Sequence, residues 1–259
     1  MKVIERLLGE GLVDFVELGF GSEKGSKEIV RALPRSAIRT LHGIPFQDDD
    51  TNDFMFNPCY SPLEASEVLD EMVRKASRIG LDYEFYGVHA GLLGAIVGPD
   101  DFTVTDNIEV QRGIENLATF KRNLPQSGKI IMEGIYGWDL SSRAIGMTQE
   151  ELESMGEVLP LLVDLGHVAI NFERYGDLSL DGLRVGNLPI AEVHLSFLDF
   201  TTQPPWDHHG FSPTAINLRI MSKLKEILDV FPEVPVVLEI VGDENTIEDA
   251  LVVAHKHAR

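Results

Sequence analysis

Six short apolar runs of this chain end on a side chain that can bind a cation or move a proton, and a Pro-containing loop adds an Asp-x-His pair. In chain order the residues are His42, His89, Glu133, Asp164 with His167, His194, Asp207 with His209, and Glu239. Imidazole nitrogen and carboxylate oxygen are the donors that Zn, Mn and Fe accept, and an Asp-x-His pair can aim both at one ion. Gathering so many carboxylates in one buried place is prohibitive unless cations or protons neutralise them. A shared metal site is the simplest outcome, and these candidates exceed what one ion needs, so two or three divalent ions fit. Blander roles stay open at single positions. Glu133 and Glu239 can cap the helices that follow them, Asp164 with His167 can form an Asx turn, and His42 can simply end a strand. His208, between Asp207 and His209, is read as lying outside the ligand set, and His255 and His257 as solvated.

Other side chains fall where they could line the mouth of such a site. Glu17 ends a run in VELG; Tyr136, Trp138 and Arg143 follow Glu133; Trp206 precedes the Asp-x-His pair. Aromatic faces beside a polar centre stack on sugars or bases, though packing under a loop is their commoner use. Neither Gly-rich segment, 19–25 or 91–98, fits a phosphate-cradling pattern.

The elements that must position these residues alternate. Strand-like runs at 12–18, 37–42, 83–89, 129–133, 161–164, 190–195 and 234–240 are separated by helical spacing, as in Pro62 to Ile79, where Leu63, Val68, Leu69, Met72, Val73 and Ala76 share a face. Thr148 with Glu151 forms a capping-box pattern at the start of another helix. The runs are too apolar to face water on either side, which predicts a parallel sheet covered by helices. Because nearly every strand delivers a polar residue at its carboxyl end, a closed TIM-type (β/α) barrel is expected rather than an open sheet, whose site is fed by two or three strands. No linker divides the chain, so residues 1–259 read as one domain.

Composition narrows the function. With Lys+Arg 22 against Asp+Glu 42, the net charge is −20, and such a surface repels phosphate backbones; nucleic acid is not expected as a partner. No apolar run is long enough to span a membrane. The N-terminal MKVIERLLGEG lacks the features of a secretory leader, and the single Cys59 suits a reducing compartment, so a cytoplasmic protein is expected.

The ordered set LHG at 41–43, VHAG at 88–91, MEG at 132–134, VDLGH at 163–167, EVHLS at 192–196, DHHG at 207–210 and LEI at 238–240 resembles the endonuclease IV branch of the xylose isomerase-like TIM barrels. That resemblance implies Glu133 bridging two metals, one of them also held by His42 and His89, with Asp164, His194 and Glu239 completing the other. A third would take His167, Asp207 and His209. The sugar isomerase and epimerase branch is similar in Glu133, Asp164, His194 and Glu239, which there hold one metal while the two glutamates transfer protons. The multinuclear iron oxidases are similar in the HL run and in Asp-x-His-Gly. The chain departs from the pattern in two ways. It shows seven strands and lacks one βα unit at its N-terminus, and the loop after His42, FQDDDTND, is acidic where a DNA-facing loop would be basic. The resemblance therefore implies a metal-dependent hydrolase of a small phosphoester or related polar substrate. A mononuclear sugar isomerase or epimerase, an iron oxidase and a non-catalytic metal-binding barrel remain alternatives. Metal count separates the first two.

Overall fold

A computed structural model describes residues 2–19, 23–43, 56–97, 103–124, 129–135, 143–199, 201, 206–239 and 244–257. The chain divides into two compact units, Met1–Met132 and Glu133–Arg259. Tyr136, Trp138 and the acidic loop 46–53 lie outside the described residues.

In the first unit the order is α1 (Lys2–Gly9), β1 (Val16–Leu18), α2 (Glu23–Ala32), β2 (Ile38–His42), α3 (Pro62–Arg78), β3 (Phe85–His89), β4 (Ala95–Val97), β5 (Thr103–Thr105), α4 (Val110–Asn123) and β6 (Ile130–Glu133), whose last residue opens the second unit. Strands β1, β2, β3 and β6 are neighbours in that order, with β1–β2 and β2–β3 parallel. α3 starts with Pro62 in its first turn, where the missing N–H costs nothing, and buries Ala65, Leu69, Met72, Val73 and Ala76 on one face. Each large side chain so buried contributes about 1.5–3 kcal/mol. Gly80, at φ 70°, ends the helix in a left-handed conformation that a side chain would strain.

The antiparallel hairpin of β4 and β5 sits where the sequence suggested only a loop after His89. A buried polar clip fixes its approach: Asn57 Nδ2 donates to Gly94 O at 2.9 Å, and Cys59 Sγ donates to Leu92 O at 2.9 Å. Gly91 lies so close to this clip that a Cβ there would sit 2.1 Å from Asn57 Oδ1.

The second unit holds α5 (Gln149–Val158), β7 (Leu161–Asp164), α6 (Leu165–Tyr175), β8 (Ile190–Leu195), β9 (Phe197–Asp199), β10 (Trp206–His209), α7 (Ala215–Val230), β11 (Val236–Leu238) and α8 (Glu244–His257). Strands β7, β8 and β11 are parallel neighbours in that order. The capping pattern at Thr148 is present in modified form: its hydroxyl accepts from Glu151 N, while Glu151 Oε2 accepts from the N–H groups of Gly146 and Met147 rather than from that of Thr148.

Two features of this unit escape pattern reading. α6 begins on the residue after β7, with Asp164 as its N-cap, and no loop separates strand from helix. Residues 206–209, expected as loop, form β10, paired antiparallel with β9. Buried Asn217 of α7 pins that hairpin, accepting from Leu198 N at 3.0 Å and donating to Leu198 O at 3.2 Å. Among the described residues no helix is long and apolar enough to cross a membrane.

Candidate metal centre

Register places the first candidate ligands. In the parallel pair β7–β8, Asp164 lies level with His194, and in β8–β11 His194 lies level with Val237. The next step of that ladder, Glu239 N to Leu195 O at 3.1 Å, brings Glu239 to the same end of β8. Glu133, at the end of β6, supplies the third carboxylate. Donor atoms of Glu133, Asp164 and His194 all lie within 4.8 Å of one another. Glu133 and His194 are wholly buried, and Asp164 is 2% exposed.

Hydrogen bonds hold these groups in place. Asp164 Oδ1 accepts from His167 N at 2.8 Å, capping α6, and from Ser196 Oγ at 3.1 Å. His167 Nδ1 lies 2.8 Å from Glu133 Oε1, which leaves Nε2 as the ring's other donor atom. His194 faces a carboxylate at each nitrogen: Nδ1 is 2.7 Å from Glu239 Oε2, and Nε2 is 3.3 Å from Glu192 Oε1. Glu192, missed by the sequence reading, is wholly buried two residues before His194 and so on the same face of β8.

His208, left out of the expected ligand set, lies beside two of its members. It forms a second donor group with Asp164 and His167, again within 4.8 Å, and its Nε2 is 3.6 Å from Glu239 Oε1. The cause is a bulge. Trp206 opposes Asp199 and His209 opposes Phe197, so β10 carries one residue more than β9 across that span. His208 takes up the slack at φ 59°, a left-handed conformation rare outside glycine, and the bulge re-aims its side chain. His209 lies instead near Asp199, whose carboxyl is held below its usual range chiefly by hydrogen bonds from Thr201 and to a lesser degree by the His209 charge. Asp207 and Trp206 are part of β10, but their side chains lie outside the described residues.

In the first unit, β2 and β3 end on His42 and His89, with the two Nε2 atoms 3.3 Å apart. Tyr86 donates to Gly43 O at 2.9 Å and fixes the chain just beyond His42. Glu17, half-buried in β1, brings a carboxylate oxygen within 4.8 Å of a His42 nitrogen. Arg143, expected at the mouth, pairs with the Glu151 carboxylate.

The donor chemistry fits a divalent cation. Glu133, Asp164 and Glu192 are buried carboxylates packed against His167 and His194, and buried charge of this kind calls for a cation or a proton. Nitrogen and oxygen donors without sulfur accept Zn, Mn or Fe.

No protein-family model and no curated protein matches the chain. Solved structures do. The IolI protein with a binding zinc atom is 15% identical, with TM-score 0.55 over 99% of this chain and 91% of its own. D-psicose 3-epimerase in the presence of D-fructose is 11% identical, with TM-score 0.54 over 97% and 92%. AsfvAP, solved as AsfvAP:AG, is 10% identical, with TM-score 0.55 over 95% and 98%. The chain therefore shares the fold of these proteins, the TIM-type barrel expected from its strand ends. At this identity the likeness defines the fold.

Proposed function

We propose that this protein is a divalent-metal-dependent hydrolase of a small phosphoester or related polar substrate. The observation that carries the reading is the sharing of Asp164 between two donor groups, Glu133–Asp164–His194 and Asp164–His167–His208. One carboxylate serving both groups suits two neighbouring cations, with Glu239 beside His194 and His208. His42 and His89 are a further pair of imidazole donors, within the first unit. A pair of divalent ions, when bound, neutralises charge on the attacked group and its leaving oxygen, and brings the pKa of water toward neutrality.

The protein's own groups do the rest. Glu133 and Asp164 hold fixed negative charge in a water-excluded place, where electrostatic interactions are stronger than in bulk water. Ser196 and the start of α6 keep Asp164 from turning away. Glu239, with 28% of its side chain exposed, is the carboxylate of this group that solvent and substrate reach, and it accepts a proton from the attacking water. The acidic surface disfavours duplex nucleic acid and leaves small polar molecules as the substrate class.

A second reading, a sugar epimerase using one ion, is favoured by the pair Glu133 and Glu239 as proton carriers and by the likeness to D-psicose 3-epimerase. Elemental analysis of the purified protein separates the two. Two or more ions per chain with turnover of bis(p-nitrophenyl) phosphate supports hydrolysis. One ion with interconversion of ketoses supports epimerisation, and no retained metal defeats both. Glu133→Gln is expected to reduce turnover by roughly 10²-fold or more, beyond the 10–100-fold that losing a supporting residue costs.

A further inference from the structure

The imidazole of His194 is gripped from both sides, and only one side belongs to the cation site. Its Nδ1 lies against Glu239, a carboxylate of the proposed ligand set, while Nε2 lies 3.3 Å from Glu192 Oε1. Glu192 and His194 are both wholly buried. A carboxylate placed so deep has desolvation against it, and it is kept there by a partner that can donate to it. A neutral imidazole carries one proton. Placing that proton on Nε2 lets Glu192 accept it in a hydrogen bond and leaves Nδ1 as the lone-pair nitrogen, on the side where Glu239 lies. Without a cation the proton belongs on Nδ1, 2.7 Å from Glu239 Oε2; a cation held by Glu239 would take that place and send the proton to Nε2, where the Glu192 carboxylate is the acceptor 3.3 Å away.

We infer that Glu192 is a positioning residue, accepting a hydrogen bond from His194 Nε2–H and so fixing the ring with Nδ1 presented to the cation. β8 makes the arrangement possible. Residues 192 and 194 are two apart on one strand and point to the same face, so the carboxylate supports the ring from behind. Carboxylate support of this kind raises the basicity of a histidine ligand and sets its orientation, and its loss lowers metal affinity 10–100-fold. The inference rests on the proposed function only in that His194 must hold a cation.

The test titrates Mn²⁺ and Zn²⁺ into metal-free protein by calorimetry, alongside thermal melting of the same metal-free samples. Glu192→Gln keeps shape and removes charge; it should weaken binding 10–100-fold while the metal-free melting temperature stays near that of the wild type. Glu151→Gln is the control. It removes another buried acid of the same unit, one that caps α5, and it should lower the melting temperature and leave affinity unchanged. Should Glu192→Gln fail to fold, Glu192→Asp retains the charge on a shorter arm, with an expected loss smaller than tenfold. In the zinc-loaded wild type, ¹⁵N NMR should find the His194 proton on Nε2. Wild-type affinity in Glu192→Gln, a loss that merely tracks melting temperature, or a proton on Nδ1 overturns the assignment while leaving the metal site standing. A wild type that binds neither ion overturns the metal site itself.

Discussion

His208 and His209 are adjacent, yet the bulge gives them different surroundings: one joins Asp164 and His167, the other lies near Asp199. His208→Ala is accordingly expected to lower the number of zinc ions retained per chain by one, whereas His209→Ala leaves it unchanged. Elemental analysis after gel filtration reads both; a loss with His209→Ala and none with His208→Ala would favour the Asp-x-His pair over His208. Cys59 makes a contrasting case. Burial pushes its thiol far above the ordinary range, and its Sγ donates to Leu92 O. A thiol held protonated and shielded is a poor nucleophile, so Cys59 should resist iodoacetamide at pH 8 in the native protein and react fully in guanidinium. His42, Asp164, His194 and Glu239 were legible in the sequence because each closes a short apolar run. Glu192 was not, since a carboxylate inside a strand reads as an alternating solvent-facing residue until burial is seen. His208 was hidden by a one-residue bulge, which a period of two cannot reveal.

At the scale of elements, the site depends on how tightly β7 turns into α6. Gly166 stands in the first turn of that helix, where a Cβ would fall 2.0 Å from Ser196 Oγ and 3.1 Å from Asp164 Oδ1. Gly166→Ala must push Ser196 aside, and Ser196 is a hydrogen-bond donor to Asp164. The expected cost is about 1–3 kcal/mol of stability, as for other overpacked sites, together with weaker Mn²⁺ binding. Ser196→Ala should weaken binding without the strain, so comparing melts and titrations of the two variants separates crowding from the lost hydrogen bond. Thr148→Ala, remote from the ligands, should cost about 1 kcal/mol through the lost N-cap of α5 and leave metal affinity alone. The long amphipathic helices and the seven parallel strands were readable from periodicity and length. α6 was not, because its first residues, LGH, follow the strand with no turn signal between them, and its cap, Asp164, doubles as a candidate ligand. The β4–β5 and β9–β10 hairpins were missed for a related reason: three- and four-residue strands carry too few residues to show a period.

For the molecule as a whole, the decisive quantity is charge. A net −20 repels itself, and part of that repulsion sits in buried carboxylates that cannot be solvated. Cations that bind the folded chain and not the unfolded one relieve it and stabilise by mass action. Free metal at 100 times its dissociation constant adds about 2.7 kcal/mol per site. For a chain of this size each kcal/mol moves the melting temperature by roughly 2–4 °C, so one site gives a rise of roughly 5–10 °C. Two sites sharing Asp164 would give more than that, although not twice as much, because the shared carboxylate couples them. Sodium chloride screens exposed charges but does little for buried ones, so it should stabilise the metal-free protein only modestly. Differential scanning calorimetry with EDTA, then with excess Zn²⁺, then with salt alone, ranks these effects. A rise with salt as large as the rise with Zn²⁺ would mean that the ions act on the surface, and the buried carboxylates would then have to be neutralised by protons instead.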